Sequence, residues 1–224
     1  MKRSKLDERI LPNYSKGEEF ANMVTHIVGG ALGITSLVLC VIFSSIKGNV
    51  YGIVGSIIFG ITMIFLYTTS SIYHGLNKKL KAKKVFQIID HCTIFILISG
   101  TYTPILLCPI REYNATLAWG LFAFIWIVAI IGIILNSIDL KKYRIFSGIC
   151  YLGMGWCILI VGTKFIDMVG INAALFILIG GVLYTIGFVF YALGKKVRYF
   201  HMIFHIFCVL GSLMHFLAIL FYII

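Results

Sequence analysis

The sequence predicts an all-α integral membrane protein, a seven-transmembrane helix bundle with its N-terminus in the cytoplasm and its C-terminus outside. Three observations predict this fold class. Apolar residues make up 60% of the 224 residues and charged residues only 12%, whereas soluble domains carry about a quarter charged residues. Seven apolar stretches are each long enough to cross a bilayer. Basic residues cluster in alternate connections between these stretches, as the topology of membrane proteins requires.

The predicted spans follow one another with short polar connections. They cover residues 23–46, 50–76, 85–108, 116–138, 145–163, 170–193 and 199–224. Unbroken apolar runs of this length exclude a membrane β-barrel, whose strands alternate between apolar and polar residues. A polar cytoplasmic arm at 1–20 is expected to precede a transmembrane domain at 21–224. This arm does not have the form of a cleavable signal peptide, and Pro104 is expected to kink the third span.

The distribution of Lys and Arg predicts the orientation. Of the 19 basic residues, all but Lys47, Arg111 and Lys164 lie in the arm or in the second, fourth and sixth connections. Cytoplasmic loops carry the excess of Lys and Arg, so these segments are expected inside a multi-pass protein of the cell (plasma) membrane. The net charge of +11 is therefore explained by topology, and nucleic acid is not expected as a partner. The expected partners are the lipid bilayer and a membrane lipid; the sequence leaves the oligomeric state open.

Four ionisable residues are predicted to lie at one depth. His74 comes four residues before Lys78, and Asp90 comes six residues after Lys84. His201 and His205 lie in the first turns of the last span. At about 1.5 Å per helical residue, all four fall within about 4–11 Å of the cytoplasmic rim. Ionisable residues inside a membrane are costly and usually mark a functional site or a pairing.

The three histidines are candidate ligands of one metal ion. His201 and His205 are four residues apart and therefore lie on one helix face, and His74 would add a third nitrogen. Three protein ligands with an open position are typical of a catalytic metal site. Asp90 and Ser70, one turn before His74, are expected beside that open position. The alternatives are hydrogen bonds between helices for the histidines, an ion pair with a loop lysine for Asp90, and a hydroxyl bonded to its own helix for Ser70.

The first span opens with a further polar face. Glu19, Asn22 and His26 follow helical spacing and share one side of the helix, where they would either support the same polar site or form a solvated juxtamembrane face. The stretch "GGALG" that follows is typical of close contact between membrane helices.

Four stretches together resemble the haemolysin III family, the bacterial branch of the progestin and adipoQ receptor superfamily. They are "EEFANMVTH", "SSIYHGL", "DHCTIFILISGTYTP" and "HMIFH", in this order on seven spans, and the resemblance covers nearly the whole chain. It implies a seven-helix fold with a Zn²⁺ site near the cytoplasmic face. By the same resemblance the zinc ligands are His74, His201 and His205, and the candidate catalytic residues are Ser70 and Asp90.

The resemblance and the residues together leave three functions open. The first is a zinc-dependent hydrolase of lipid amides or esters, in which Asp90 transfers a proton and Ser70 helps to stabilise an oxyanion. The second is a haemolysin-type pore-forming, cytolytic protein. A pore needs polar residues at several depths, whereas the outer halves of these spans hold little beyond Ser, Thr and Tyr. The third is a non-catalytic, zinc-dependent sensor or receptor for a membrane lipid.

Overall fold

Seven long apolar helices form the molecule. The computed structural model describes Leu6, residues 9–194 and residues 196–224. The helices are α1 (Lys16–Ile46), α2 (Val50–Gly75), α3 (Lys81–Tyr113), α4 (Ala115–Asp139), α5 (Arg144–Val161), α6 (Lys164–Val169), α7 (Ile171–Leu193) and α8 (Phe200–Ile223). All except the short α6 are long and apolar enough to cross a membrane. This confirms the predicted multi-pass, seven-helix membrane fold.

Helix α3 lies at the centre of the bundle. In its most apolar 18-residue window, 78% of the residues are buried, against 22–50% in the other six long helices. It packs between α2 and α4, while α1 packs between α2 and α8, and α8 also packs on α7. The helix continues through Pro104 and then widens into a π-helical turn at Leu106–Ile110. The first and last helices are therefore neighbours, and α1 packs on α2 as well.

Helix α1 begins before the apolar stretch that predicted it. Ser15 caps the helix by accepting a hydrogen bond from the backbone N–H of Glu18, and the Glu18 side chain accepts one from the backbone N–H of Ser15. This capping box satisfies two backbone donors that the helix would otherwise leave unpaired. The helix thus starts at Lys16 instead of at residue 23, because capping and not hydropathy determines its first turn. As a result, Glu19 and Asn22 are helical.

Two glycines allow the central helices to approach closely. A Cβ atom on Gly29 of α1 would lie only 2.5 Å from Cδ1 of Tyr67 on α2, and one on Gly55 of α2 would lie 2.7 Å from Cα of Pro104 on α3. Side chains at these positions would push the helices apart. The small residues of "GGALG" therefore serve the close helix contact that the sequence predicts.

One end of the bundle carries most of the basic residues. We call it the basic end, and its described residues are 9–15 and those of the connections at 76–80, 140–143, 194 and 196–199. Lys78 of the first connection donates a hydrogen bond to the Tyr14 carbonyl in the N-terminal segment. Residues 1–5, 7, 8 and 195 lie outside the described residues. They include part of the predicted 1–20 arm and four basic residues of the topology prediction: Lys2, Arg3, Lys5 and Lys195. That the basic end faces the cytoplasm stays a prediction from the Lys and Arg distribution.

Candidate metal centre

Three buried histidines from two helices meet near the basic end. His74 is the last residue but one of α2, and His201 and His205 occupy the first two turns of α8. Their exposed fractions are 2%, 8% and 1%. One ligand nitrogen from each lies within 4.8 Å of the others. Within the described part of the chain, this is the group of His, Cys, Asp and Glu side chains whose arrangement allows it to hold a metal ion.

The nitrogen positions fit a single ion. Nε2 of His201 and Nε2 of His205 are 3.2 Å apart. Two nitrogens bound to one tetrahedral zinc at about 2.0–2.1 Å would be about 3.3 Å apart. Nε2 of His74 is buried and has no hydrogen-bond partner among the described residues. A buried nitrogen without a partner is costly, and a bound cation at this point would satisfy it.

Glu19 of α1 fixes the orientation of His74. Its Oε2 lies 2.7 Å from Nδ1 of His74, and the histidine side chain is fully buried. Because a carboxylate accepts, this contact places the ring hydrogen on Nδ1, so that the lone pair of Nε2 is free to bind a cation. A carboxylate behind a histidine in this way is the usual outer partner of a metal ligand. The polar face of α1 therefore supports the centre, as one of the two sequence interpretations expected.

Two further residues of α1 hold His205. Nδ1 of His205 donates to the Asn22 carbonyl at 3.2 Å, which again leaves Nε2 for a ligand. The His26 ring stacks on the His205 ring with a centroid separation of 3.6 Å and an interplanar angle of 12°. Helix α1 thus contributes no member of the histidine group but positions two of its three rings.

Lys83 is a buried part of the same network. Its side chain is 1% exposed, and Nζ lies 3.0 Å from Oε1 of Glu19. Nζ also donates to the carbonyls of Tyr73, His74 and Leu76, at 2.9, 3.3 and 3.0 Å, where α2 ends. The predicted third span at 85–108 leaves Lys83 in the preceding connection, where it counts only as a loop cation. Had the start of α3 at Lys81 been recognised, the spacing of Lys83 and Asp90 would have placed both on one helix face.

The N-terminal segment covers His201 from the basic end. The Tyr14 ring stacks on the His201 ring with a centroid separation of 5.0 Å and an interplanar angle of 15°. Burial, followed by the nearby Tyr191 and Glu19, raises the pKa of the Tyr14 phenol, so it remains neutral at physiological pH. Sequence reasoning missed this residue, because nothing in a polar arm indicates which side chain folds back onto the bundle.

The start of α8 is also tied to α1. Tyr199 precedes the helix with a left-handed backbone (φ 62°), a conformation that is uncommon for residues other than glycine. Its backbone N–H donates to Oε1 of Glu18 at 2.9 Å. This bond holds the strained residue two positions before His201.

The candidate catalytic residues line a cavity beside the histidines. The cavity has a volume of about 140 Å³, and Ser70, Asp90, His201 and His205 are among the residues that line it. We call it the inner cavity. Its wall is mainly apolar and includes Leu66, Ile94, Leu97, Trp156, Phe188 and Phe204.

Ser70 and Asp90 differ in their surroundings. Oγ of Ser70 is buried without a partner among the described residues, while the hydroxyls of Thr69 and Ser71 each bond a carbonyl four residues earlier. Ser70 is therefore not bonded to its own helix and can serve a ligand. Asp90 lies outside the histidine group, with Oδ2 3.8 Å from Nδ1 of its neighbour His91.

Comparison with known proteins places this architecture in a family. The family described as "Haemolysin-III related" matches residues 14–216. The chain belongs to the haemolysin III family. It is 39% identical to "Hemolysin-3 homolog" of Bacillus subtilis over 206 residues, which cover 92% of this chain and 94% of that protein. It is 36% identical to "Hemolysin-3" of Bacillus cereus over 207 residues, which cover 92% of each.

A more distant relative extends the family relationship to animals. The chain is 26% identical to the human "Monocyte to macrophage differentiation factor" over 206 residues, which cover 90% of this chain and 83% of that protein. The haemolysin III match begins at Tyr14, which covers His201, and ends at residue 216, after the two α8 histidines of the group. All the residues of the centre described above lie inside it. The family and superfamily that the sequence motifs indicated are thereby confirmed.

Proposed function

We propose that this haemolysin III protein is a zinc-dependent hydrolase that cleaves an amide or ester bond of a membrane lipid. One observation carries the proposal: two of the three histidines that can share one cation, His201 and His205, line a mainly apolar cavity together with a carboxylate and a hydroxyl that has no partner among the described residues. Apolar walls suit an acyl chain, and these polar groups suit the bond to be cleaved. Such a pocket with a few convergent polar groups is the usual form of a small-molecule site.

Zinc is the metal that the donor set favours. Three imidazole nitrogens without a fourth protein ligand match catalytic zinc sites and leave one position for water or substrate. When bound, zinc supplies Lewis-acid activation of water and of a carbonyl group. His74, His201 and His205 would hold it. Glu19 and the Asn22 carbonyl keep two of these rings in the tautomer that binding needs.

The remaining steps fall to residues of the cavity. Asp90 is the carboxylate that lines the inner cavity, so it would accept the proton of the attacking water and pass it to the leaving amine or alcohol. Ser70 would donate a hydrogen bond to the oxyanion that develops on the carbonyl. The surrounding apolar residues exclude bulk water, which strengthens both interactions.

The experiment measures metal content and turnover in the same proteins. Purified protein should contain one zinc ion per chain, and proteoliposomes should convert one of a set of N-acyl or O-acyl lipids, followed by mass spectrometry. Asp90→Asn should retain zinc and lose turnover, whereas His205→Ala should lose both. Cys40→Ala, which changes a buried side chain of α1 that does not line the inner cavity, is the control and should retain both.

Two results would contradict the proposal. If zinc content is unchanged in His205→Ala, the three histidines do not hold the metal. If wild type binds zinc but converts none of the lipids, the protein is a zinc-dependent sensor and not a hydrolase. A lytic pore, suggested by the name of the Bacillus cereus relative, would give bilayer conductance that His205→Ala does not alter. Tight apolar packing away from the basic end, with Ile105 and Ile219 at most 2% exposed, favours a closed bundle instead.

A further inference from the structure

A second and larger cavity opens at the basic end. It has a volume of about 770 Å³ and lies between the N-terminal segment, the α4–α5 connection and the α7–α8 connection. We call it the vestibule. Tyr14 and His201 are among the residues that line it, so it adjoins the candidate metal centre.

The charges that line the vestibule are unbalanced. Five cations and two carboxylates lie along its wall: Arg9, Lys141, Arg144, Lys196 and Arg198, with Glu18 and Asp139. Both carboxylates accept hydrogen bonds from backbone N–H groups. Glu18 accepts from residues 15 and 199, and Asp139 accepts from residues 141 and 142. Among the described residues, the last four of the five cations form no ion pair within 4.0 Å.

A general preference for basic residues on the cytoplasmic side does not account for this arrangement. That preference concerns the loops beside the membrane as a class, and it does not require cations from three separate segments to line one cavity. Like charges that share a concave surface repel one another and raise the local concentration of anions. The vestibule is therefore suited to an anionic group.

The vestibule and the inner cavity are adjacent, and they share one residue of the candidate metal centre. His91, Tyr191 and His201 line both cavities. The vestibule side of this shared wall is polar and cationic, and the inner cavity is mainly apolar. A molecule that fills both must carry a negative charge at one end and a hydrocarbon chain at the other.

We propose that the vestibule binds the anionic headgroup, a phosphate or carboxylate, of a lipid whose acyl chain enters the inner cavity. This proposal deepens the proposed function, because it defines the substrate class as an anionic lipid. It rests on the proposed function only in treating the bound lipid as a substrate whose bond is cleaved at the metal centre. Binding itself does not require turnover. A free anion such as inorganic phosphate would share the headgroup chemistry but would leave the inner cavity empty.

Fluorescence quenching can locate the chain and measure the charge preference together. Full-length protein in a neutral detergent is titrated with 12-bromododecyl phosphate, with the matching zwitterionic phosphocholine, and with inorganic phosphate. The brominated chain should quench Trp156, which lines the inner cavity, and Trp156→Phe should remove this quenching.

Two pairs of variants test the charge preference. Arg144→Gln/Arg198→Gln should weaken binding of the phosphate amphiphile about tenfold, since each exposed charge contributes a few-fold. Lys79→Gln/Lys142→Gln removes the same charge outside the vestibule and is the control.

The expected result is tighter binding of the phosphate amphiphile than of the phosphocholine in wild type, with the difference reduced in the vestibule pair and retained in the control pair. Sodium chloride at 0.5 M should also reduce it. Equal binding of the two amphiphiles by wild type would overturn the proposal even if the variants fail to fold, and so would equal losses in both pairs. Inorganic phosphate that binds as tightly as the amphiphile would assign the vestibule to a free anion. Absence of hydrolysis in the earlier assay would leave these results intact.

Discussion

The carboxylate of Glu19 provides the most direct test of how the metal centre is held. Glu19→Gln keeps a side-chain oxygen that can accept from Nδ1 of His74, but it removes the negative charge. Loss of an outer partner of this kind typically weakens metal binding by about 10- to 100-fold. Because glutamine retains the hydrogen bond, we expect the lower value, about tenfold, which corresponds to about 1.4 kcal/mol.

The same substitution leaves Lys83 buried without its counter-charge. Nζ of Lys83 lies 3.0 Å from Oε1 of Glu19. At an effective dielectric constant of about 20, this separation corresponds to an attraction of about 5.5 kcal/mol, much of which offsets the desolvation of the two charges. Removing one partner of a buried pair costs about 3–5 kcal/mol. Glu19→Gln should therefore lower the free energy of unfolding as well as the affinity for zinc.

A double variant separates these two effects. Glu19→Gln/Lys83→Met removes the unpaired cation, so part of the stability should return while zinc affinity remains about tenfold lower. Affinity is measured by competition with a chromophoric zinc chelator, and stability by thermal unfolding in detergent. If Glu19→Gln binds zinc within twofold of wild type, Glu19 does not orient a ligand. If the double variant regains full affinity, the loss came from damage to the fold.

Three other variants or treatments test separate contacts. Gly29→Val should destabilise the protein by about 1–3 kcal/mol through overpacking against the adjacent tyrosine ring, while Gly153→Ala, where no atom lies within 4 Å of an added Cβ, should not; equal unfolding temperatures would refute this. Tyr14→Leu should weaken zinc binding about two- to tenfold through loss of the stack on His201, whereas Tyr14→Phe should stay within twofold in the chelator competition. With free zinc at 100 times its dissociation constant, a chelator should lower the free energy of unfolding of the wild type by about 2.7 kcal/mol. The chelator should leave the unfolding temperature of His205→Ala unchanged.

Hydropathy and spacing predicted much of this arrangement. The apolar runs gave the seven spans, because a bilayer demands about 20 apolar residues from every crossing helix. The depth of His74, counted from Lys78, matched the depth of His201 and His205, and the structure brings all three together. Depth alone was informative here because ionisable residues are rare inside membrane helices.

The supporting residues were harder to predict for physical reasons. Depth along a helix does not determine which neighbour a side chain faces, so Lys83 could be counted as a loop cation although it lies buried against Glu19. The start of α1 depends on the Ser15 capping box, and a prediction of spans from hydropathy does not detect capping residues. The position of Tyr14 over His201 depends on how the N-terminal segment folds back, and no helical period governs that segment.

The hydrogen bond between Asn22 and His205 joins residues 183 positions apart in the chain. During synthesis α1 leaves the ribosome before α8, so the Asn22–His205 hydrogen bond can form only after α8 has been inserted into the bilayer. Before α8 is inserted, His74 lacks the two other histidines of the group, so a chain without α8 cannot form it. Synthesis of α8 is therefore the step that completes the three-histidine group.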